Sequence, residues 1–203
     1  GPDVNESRFK FAVNEAGSIR FGLGAMKGVG EGAVMAIIEN RISSVDSKGV
    51  EKVDPYKSLF DFAKRLSPFR ECNKKVYEAL ALGGAFDDLK GSKNIHRAQY
   101  FAIDDKERSL LELAIRYGSA VTQSEQEAGS TLFGDDEAMK IPEPIIPACD
   151  PWSDMIRLKK ERDVVGFFIS GHPLDKFKFE MKHISTRGGL PLLEEIDKYT
   201  GKK

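Results

Sequence analysis

The chain has 203 residues, of which 40% are hydrophobic and 31% charged, a composition typical of a globular protein with much exposed helical surface. Its 31 basic and 32 acidic residues give a formal net charge of −1, which excludes a chain that coats nucleic acid over its whole surface but permits a local basic patch. No apolar run approaches the roughly 20 residues of a membrane span, and the first residues do not resemble a signal peptide, so we expect a cytosolic protein without a membrane partner.

The first third of the chain predicts a β-hairpin followed by short helices. Residues 8–13 and 18–21 alternate polar and apolar side chains around a turn that contains Gly17, a pattern typical of a hairpin. From Gly32 the apolar residues recur at helical spacing as far as Arg41, and the polar stretch 42–54 is expected to be an inserted loop.

Two further helices are expected before residue 90. Asp54 and Pro55 have the pattern of an N-cap followed by a proline in the first turn, and the apolar stripe after them ends at Leu66. Asn73 is placed to cap the next helix, which the glycines after residue 82 end. With the apolar segment before Gly28 counted as a first helix, residues 21–90 predict four short helices joined by two tight connections.

The second half combines helices with a polar segment. Residues 94–117 have a helical pattern with a break near 104–108, because Ser109 and Glu112 have capping-box spacing. Residues 118–150 contain three prolines and few bulky apolar side chains, which favours a linker. Asp150 and Pro151 are expected to start a helix that runs to about Val165, before a short apolar strand or turn at 166–174.

The predicted fold is mainly α, a tandem helix-hairpin-helix domain with an N-terminal β-hairpin. The predicted segments are a β-hairpin (1–22), a tandem helix-hairpin-helix domain (23–90), a helical extension (91–117), a linker rich in prolines and acids (118–150), and a helix with a strand or turn (151–203).

The glycine-rich stretch after Met26 predicts a phosphate-binding turn. A dinucleotide-binding fingerprint fails because the third glycine is out of register, and a P-loop fails because Lys27 precedes the glycines. A helix-hairpin-helix needs an apolar residue between two glycines and an apolar helical face beyond, and Gly28, Val29 and Gly30 meet that pattern.

In this interpretation the turn holds one DNA backbone phosphate without reading a base. Positive φ at Gly28 and Gly30 leaves the unpaired amides of the following helix pointing outward, and Val29 is buried to fix the turn. The predicted backbone-binding residues are Lys27, Gly28, Val29, Gly30, Glu31 and Gly32. The alternative is a plain turn between two helices, with glycines for geometry alone.

A second hairpin is predicted at the connection 67–75, which lacks the glycines. Arg70, Lys74 and Lys75 would bind DNA there through their charges. The alternative is a solvated helix start, since charge clusters on protein surfaces are common.

Cysteine and histidine residues suggest no catalytic or metal site. Cys72 and Cys149 are too few for a disulfide framework, and neither lies in a CxxC motif or near a histidine, so both are expected to be structural. His96, His172 and His183 have no nucleophile or metal partner nearby in sequence, and we expect structural roles for them too.

Several stretches, in order, resemble one known family, the alpha subunit of bacterial DNA polymerase III. They are "PDVNES" (2–7), "FGLGAMKGVGEGAVMAIIENR" (21–41), "SLFDFAKRL" (58–66), "NKKVYEALALGGAFD" (73–87), "TLFG" (131–134) and "ERDVVGFFISGHPLD" (161–175). The resemblance covers nearly the whole chain. It implies a fragment that follows the polymerase fingers, carries tandem helix-hairpin-helix motifs that contact duplex DNA, and stops just before an OB-fold. It also implies that the catalytic aspartates, with their Mg²⁺, lie upstream, so that this fragment itself needs no cofactor.

The resemblance further implies a motif for the β sliding clamp. Ser130, Thr131, Leu132 and Phe133 match the end of the family pattern, but Gly129 stands where the family has glutamine, which predicts weakened binding or a variant motif. The alternative is that Leu132 and Phe133 pack on their own domain.

The sequence thus predicts a non-catalytic segment of a bacterial, cytoplasmic replicative polymerase that binds duplex DNA and the clamp within the holoenzyme and supports processive synthesis. Two other functions remain open at this point: a helix-hairpin-helix module of a DNA repair enzyme, and a protein-interaction scaffold that does not bind DNA.

Overall fold

The computed structural model describes residues 1–14, 17–45, 51–92, 95–130 and 141–183. The chain divides into two compact units, Gly1–Ile169 and Ser170–Lys203. In the first unit, the strands are β1 (Ala12–Val13), β2 (Ile19–Arg20), β3 (Ile42–Val45) and β4 (Glu51–Val53), and the α-helices are α1 (Glu31–Asn40), α2 (Leu59–Leu66), α3 (Lys74–Gly83), α4 (Leu110–Ser130) and α5 (Asp154–Val165). Short 3-10 turns cover Leu23–Ala25, Lys90–Ser92 and Arg97–Phe101. The prediction of a mainly helical fold with an N-terminal hairpin is confirmed.

The N-terminal hairpin has shorter strands than the sequence predicts. β1 and β2 pair antiparallel with Val13 opposite Ile19, and Gly17 has the positive φ (+75°) that the turn requires. The side chains of Val13 and Ile19 are 71% and 74% exposed, so this face of the hairpin contributes little to the core.

Within the expected loop 42–54, the described residues form a two-stranded ribbon of β3 and β4. β3 and β4 pair antiparallel from Ile42 opposite Val53, with a register shift before Ser44. Next to the paired strands, the amide of Asp54 donates to the carbonyl of Arg41 at 2.7 Å, which joins the two ends of this segment. The sequence pattern does not predict these strands, because the segment is mainly polar and a two-stranded ribbon needs only a few β-branched residues.

Helix α2 begins four residues later than the Asp54-Pro55 pattern predicts. The side chain of Asn5 accepts from the amide of Tyr56 at 2.7 Å and donates to its carbonyl at 3.0 Å. These two hydrogen bonds hold Tyr56 against the N-terminal segment, so the helix starts after Ser58, whose hydroxyl accepts from the amide of Asp61.

An aromatic cluster forms the centre of the core. Phe62 of α2 packs edge-on against three rings, with centroid distances of 4.8 Å to Tyr56, 5.3 Å to Tyr77 and 5.1 Å to Phe86. Tyr100, from the 3-10 turn before α4, extends the cluster at 5.6 Å from Phe86. Edge-to-face geometry is favourable for aromatic pairs, and the cluster joins both helices of the second hairpin to the chain that follows them.

The predicted linker start at residue 118 is wrong, because α4 continues to Ser130. Gly118 lies directly against the backbone of Ala63, and the rings of Tyr117 and Phe60 pack at 5.5 Å. Packing along α2 therefore stabilises α4 beyond residue 118. The exposed face of the helix there is polar, which explains why its composition resembles that of a linker. The predicted capping box is confirmed where the helix starts, since the amide of Glu112 donates to the Ser109 hydroxyl (3.2 Å) and the Ser109 amide donates to the Glu112 carboxylate (2.8 Å).

The chain after residue 140 returns to the body of the first unit in an extended conformation. The side chain of Gln99 donates to the carbonyl of Pro147 at 3.3 Å. Helix α5 starts after Ser153, three residues later than predicted, and ends as expected at Val165, where Gly166 has φ +97°. No strand follows in the described residues 166–174, where bends precede the 3-10 segment that starts at Pro173.

An ion network that is buried at Arg97 and Glu161 fixes α5 against the end of α3. The Arg97 guanidinium donates to the Asp87 carboxylate (2.7 Å) and to the Glu161 carboxylate (2.9 Å), and Glu161 is 1% exposed. The second oxygen of Glu161 accepts from the amide of Ile169 at 2.8 Å.

The described part of the second unit contains a 3-10 turn, Pro173–Phe177, and helix α6, Lys178–His183. Residues 184–203 of this unit lie outside the described part of the chain.

Candidate nucleic-acid interface

The first hairpin consists of the 3-10 turn Leu23–Ala25, a tight connection and α1. The amide of Met26 donates to Leu23 O (3.1 Å), and the amide of Val29 donates to Met26 O (3.2 Å), which closes two successive turns. All three side chains are buried, Val29 as the sequence predicts. The apolar residues thus fix the glycines that lie between them.

The two glycines beside Val29 have different conformations. Gly28 has φ +91°, the left-handed conformation that glycine accommodates best. Gly30 has φ −77° and ψ 161°, so the expected positive φ there is wrong, because Gly30 is the N-cap of α1 and N-caps are extended. A Cβ added at Gly30 would meet no atom within 4 Å, so the space before the helix is open.

No described residue accepts a hydrogen bond from the first amides of helix α1. The helical hydrogen bonds start with the Val34 amide, which donates to Gly30 O at 3.1 Å. The amides of Glu31, Gly32 and Ala33 therefore lie ahead of the ladder, and Gly30 has no side chain to accept from them. An anion held there would gain both their hydrogen bonds and the positive end of the helix dipole.

Two carboxylates lie beside these amides. Glu31 is the first residue of α1, and a Cβ added at Gly32 would be 3.0 Å from Cγ of Glu71. Negative side chains near a helix N-terminus stabilise the free helix but oppose a phosphate at the same place. The sequence analysis missed Glu71, because nothing in the local sequence brings residue 71 to the first hairpin.

Lys27 connects the first hairpin to α5. Its amide donates to the carbonyl of Val164 at 2.8 Å, in the last turn of that helix, while the residue itself is exposed. This contact positions the cation at the edge of the glycine turn.

The second hairpin joins α2 to α3 and satisfies its helix start internally. The side chain of Asn73 accepts from the amides of Lys75 (3.0 Å) and Val76 (3.4 Å), as predicted for the cap. The predicted cations Arg70, Lys74 and Lys75 are all exposed around this cap.

Lys74 already has carboxylate partners. Its Nζ donates to Oε1 of Glu112 on α4 at 2.9 Å, and Oε1 of Glu78 lies 3.8 Å away. Hydrogen bonding to Lys74, with the Ser109 amide, lowers the pKa of Glu112 to about 2. Together with Asn73 and Lys75, Lys74 and Glu78 line an open depression of about 520 Å³.

The two hairpins pack against each other, which brings both predicted sets of residues to one part of the surface. A Cβ at Gly28 would lie 3.6 Å from Cβ of Ala79 on α3, and the Cys72 thiol lies 4.0 Å from the carbonyl of Ala33. Burial raises the pKa of Cys72 to about 11, in keeping with the expected structural role. The start of α1 and the exposed cations of the second hairpin therefore belong to two hairpins that are packed together.

The structure does not test the predicted clamp-binding residues. Thr131, Leu132 and Phe133 lie outside the described residues, as does the side chain of Ser130, the last residue of α4.

Within the described ranges no group of three or more histidine, cysteine or acidic side chains could hold a metal ion. His172 Nδ1 accepts from the amide of Leu174 at 3.2 Å, a capping role.

Comparison with known proteins identifies both the motif and the longer relatives. The helix-hairpin-helix motif family matches residues 1–99, which include both hairpins. The DNA polymerase III alpha subunit of Vibrio cholerae is 35% identical over 189 residues (92% of this chain and 14% of the relative), and that of Pseudomonas aeruginosa is 35% identical (91% and 15%). The corresponding subunit of Deinococcus radiodurans is 36% identical over 176 residues (86% and 12%). The chain therefore spans only about one seventh of the relatives that it matches. No described helix combines the length and apolarity needed to cross a membrane.

Proposed function

Because this chain belongs to the family of bacterial DNA polymerase III alpha subunits, we propose that it is a non-catalytic segment of such a polymerase, which binds double-stranded DNA through its paired hairpins. The observation that carries the proposal is the uncapped start of α1 behind the left-handed Gly28, in an open part of the surface. Neutral amides hold a phosphate without reading bases, so binding is independent of sequence.

The exposed cations supply the salt dependence of this binding. Amide contacts release no counterions, whereas each cation that neutralises a phosphate contributes about −0.9 to the slope of log K against log salt. Among the four predicted cations, Lys74 alone has a carboxylate partner within the described residues. Lys27, Arg70 and Lys75 together would therefore give a slope of roughly −3.

The proposal is tested by fluorescence anisotropy with a short labelled duplex, in salt from about 50 to 200 mM. We expect equal affinity for two unrelated sequences, and a slope that becomes shallower by roughly 2 in the Arg70→Gln/Lys75→Gln variant. Lys57→Gln is the matched control, because Lys57 precedes α2, at the end remote from the connection that carries Arg70. Absent binding, or binding with no salt dependence, would instead favour a protein-interaction scaffold.

A repair-enzyme module is less well supported. The relatives reported above are replicative polymerase subunits, and the first hairpin is followed by the β3–β4 ribbon rather than by a helix that could complete a catalytic pocket. A repair module would bind a damaged or nicked duplex much more tightly than an intact one, and the same titration with such duplexes distinguishes the two.

The second part of the proposal is that the segment after α4 binds the β sliding clamp and so supports processive synthesis. Its support is the Leu132-Phe133 pair, which resembles the end of the family's clamp motif and starts two residues after α4 ends. Binding to the clamp would raise the effective concentration of the polymerase at the primer end.

A pull-down with the matching clamp tests this second part. The Leu132→Ala/Phe133→Ala variant should lose retention, because each buried apolar side chain contributes about 1.5–3 kcal/mol. Gly129→Gln restores the family's glutamine and should strengthen retention. Equal retention of all three proteins would refute clamp binding without affecting DNA binding.

In the complete polymerase we propose that this segment works with the rest of the alpha chain and the holoenzyme in the bacterial cytoplasm. The Mg²⁺ used in synthesis would be bound at an active site outside this chain.

A further inference from the structure

Glu112 has a position that the proposed DNA-binding surface does not require. Its two carboxylate oxygens serve different elements: Oε2 accepts from the amide (2.8 Å) and hydroxyl (3.2 Å) of Ser109, and Oε1 accepts from Nζ of Lys74 at 2.9 Å. The first pair caps α4, and the third bond crosses to the first residue of α3.

The cap makes this carboxylate a fixed partner. A glutamate that formed only a surface ion pair could rotate away from an approaching phosphate at little cost. Here the hydrogen bonds to Ser109 hold the carboxylate in place, with Oε1 directed at Lys74. Hydrogen bonding to Lys74 and Ser109 lowers the pKa of Glu112 to about 2, so the carboxylate is charged at neutral pH.

Lys74 has two carboxylate partners, Glu112 and Glu78, although other cations occur on the same helices and their connection. Arg70, Lys75 and Arg116 are exposed, with Arg116 one helical turn beyond Glu112 on α4, and Glu78 lies 3.8 Å from the Lys74 ammonium. Of the cations predicted to bind DNA, Lys74 is therefore the one for which a DNA phosphate must compete with a carboxylate.

We propose that Glu112 competes with the DNA phosphate for Lys74, and that this competition lowers the affinity of the second hairpin for the duplex. This inference rests on the proposed DNA binding. In the wild type, Lys74 stays with Glu112 and contributes little to affinity or to the salt slope. Without the carboxylate charge, Lys74 is available to a phosphate and releases one more counterion.

The test is a double-mutant cycle on duplex affinity and salt slope with Glu112→Gln, Lys74→Gln and the combined variant. Glutamine keeps an oxygen for the Ser109 amide, so Glu112→Gln retains the cap of α4 and removes only the charge. We expect Glu112→Gln to bind about three- to tenfold more tightly at low salt, with a slope steeper by about 0.9. Lys74→Gln should change wild-type affinity by less than twofold but abolish the gain in the Glu112→Gln background.

Glu78→Gln is the matched control. It removes the same charge beside the same lysine, but Glu78 lies at 3.8 Å and makes the weaker contact. We expect a smaller gain in affinity and an unchanged slope. Thermal unfolding of each variant checks that the fold is retained.

The possible outcomes separate the two proposals. A gain in Glu112→Gln that persists without Lys74 would mean simple charge repulsion and would overturn the inference. A large loss in Lys74→Gln alone would mean that Lys74 already contacts phosphate, and would overturn it as well. Failure of every variant to bind duplex would instead refute the proposed function.

Discussion

The two hairpins begin their second helices in opposite ways. In the first hairpin, Gly30 leaves the amides of α1 without a side-chain acceptor. In the second, Asn73 accepts from two amides of α3, and Glu112 holds the adjacent Lys74. A helix start that is satisfied internally is more stable but has fewer donors for a ligand, so the first hairpin is suited to bind phosphate through its backbone and the second only through side chains.

The largest expected difference between the hairpins concerns their left-handed glycines. Gly28 (φ +91°) has room for a methyl group, with Ala79 Cβ at 3.6 Å, whereas at Gly84 (φ +83°) the guanidinium of Arg97 occupies that place. Gly28→Ala should therefore lower the free energy of unfolding by about 1–2 kcal/mol, the cost of a left-handed alanine. Gly84→Ala should cost at least about 3 kcal/mol, because it also displaces Arg97 from its buried partner Glu161.

Urea denaturation of the two variants measures this difference. Gly30→Ala is the control for glycine replacement itself, because Gly30 has an ordinary φ and open space. Equal losses for Gly28→Ala and Gly84→Ala would mean that conformation alone, and not the position of Arg97, determines the cost.

Replacing the N-cap residue of α1 or α3 should change stability and DNA binding differently. Asn73→Ala should lower the free energy of unfolding by about 1 kcal/mol, the usual value of a lost N-cap. Gly30→Asp should raise it by a few tenths of a kcal/mol, since aspartate is a good cap and the site is open. The same substitution places a carboxylate at the amides of α1, so duplex affinity should fall several-fold.

Gly30→Ser distinguishes capping from charge in this experiment. Serine caps equally well without a negative charge, and it should therefore stabilise α1 while weakening DNA binding less than aspartate does. If Gly30→Asp binds duplex as tightly as the wild type, the amides of α1 do not hold a phosphate.

The parts of the fold that the sequence could predict are those set by local patterns. The Asn73 cap and the Ser109–Glu112 capping box each depend on residues within three positions of one another. The start of α2 and the length of α4 could not be predicted in this way, because Asn5 determines the first and packing of Gly118 on α2 stabilises the second.

The same distinction applies to the candidate site. The glycine spacing gave the turn and the burial of Val29, since the pattern lies within a few residues. The partners that modify the site, Glu71 beside Gly32 and Glu112 beside Lys74, come from 39 and 38 positions away, and only the packing of the helices brings them there.

The smallest expected effect is the pH dependence of the second hairpin. Hydrogen bonding to Lys74 and Ser109 holds the pKa of Glu112 at about 2 in the folded chain, below the ordinary value of 4.5. A depressed carboxylate pKa stabilises the fold above the unfolded pKa, and that contribution is lost as the pH falls from about 5 towards 2. The melting temperature of the wild type should therefore exceed that of Glu112→Gln near neutral pH, by less than the effect of Asn73→Ala because the pair is solvent-screened, and the two should converge in acid. Asp104, whose pKa Arg108 also lowers to about 2, is unchanged in both proteins, so its contribution cancels in the difference. A difference that stays constant from pH 6 to about pH 3 would mean that the Glu112–Lys74 pair contributes nothing to stability, and that the second hairpin depends on Asn73 alone at its helix start.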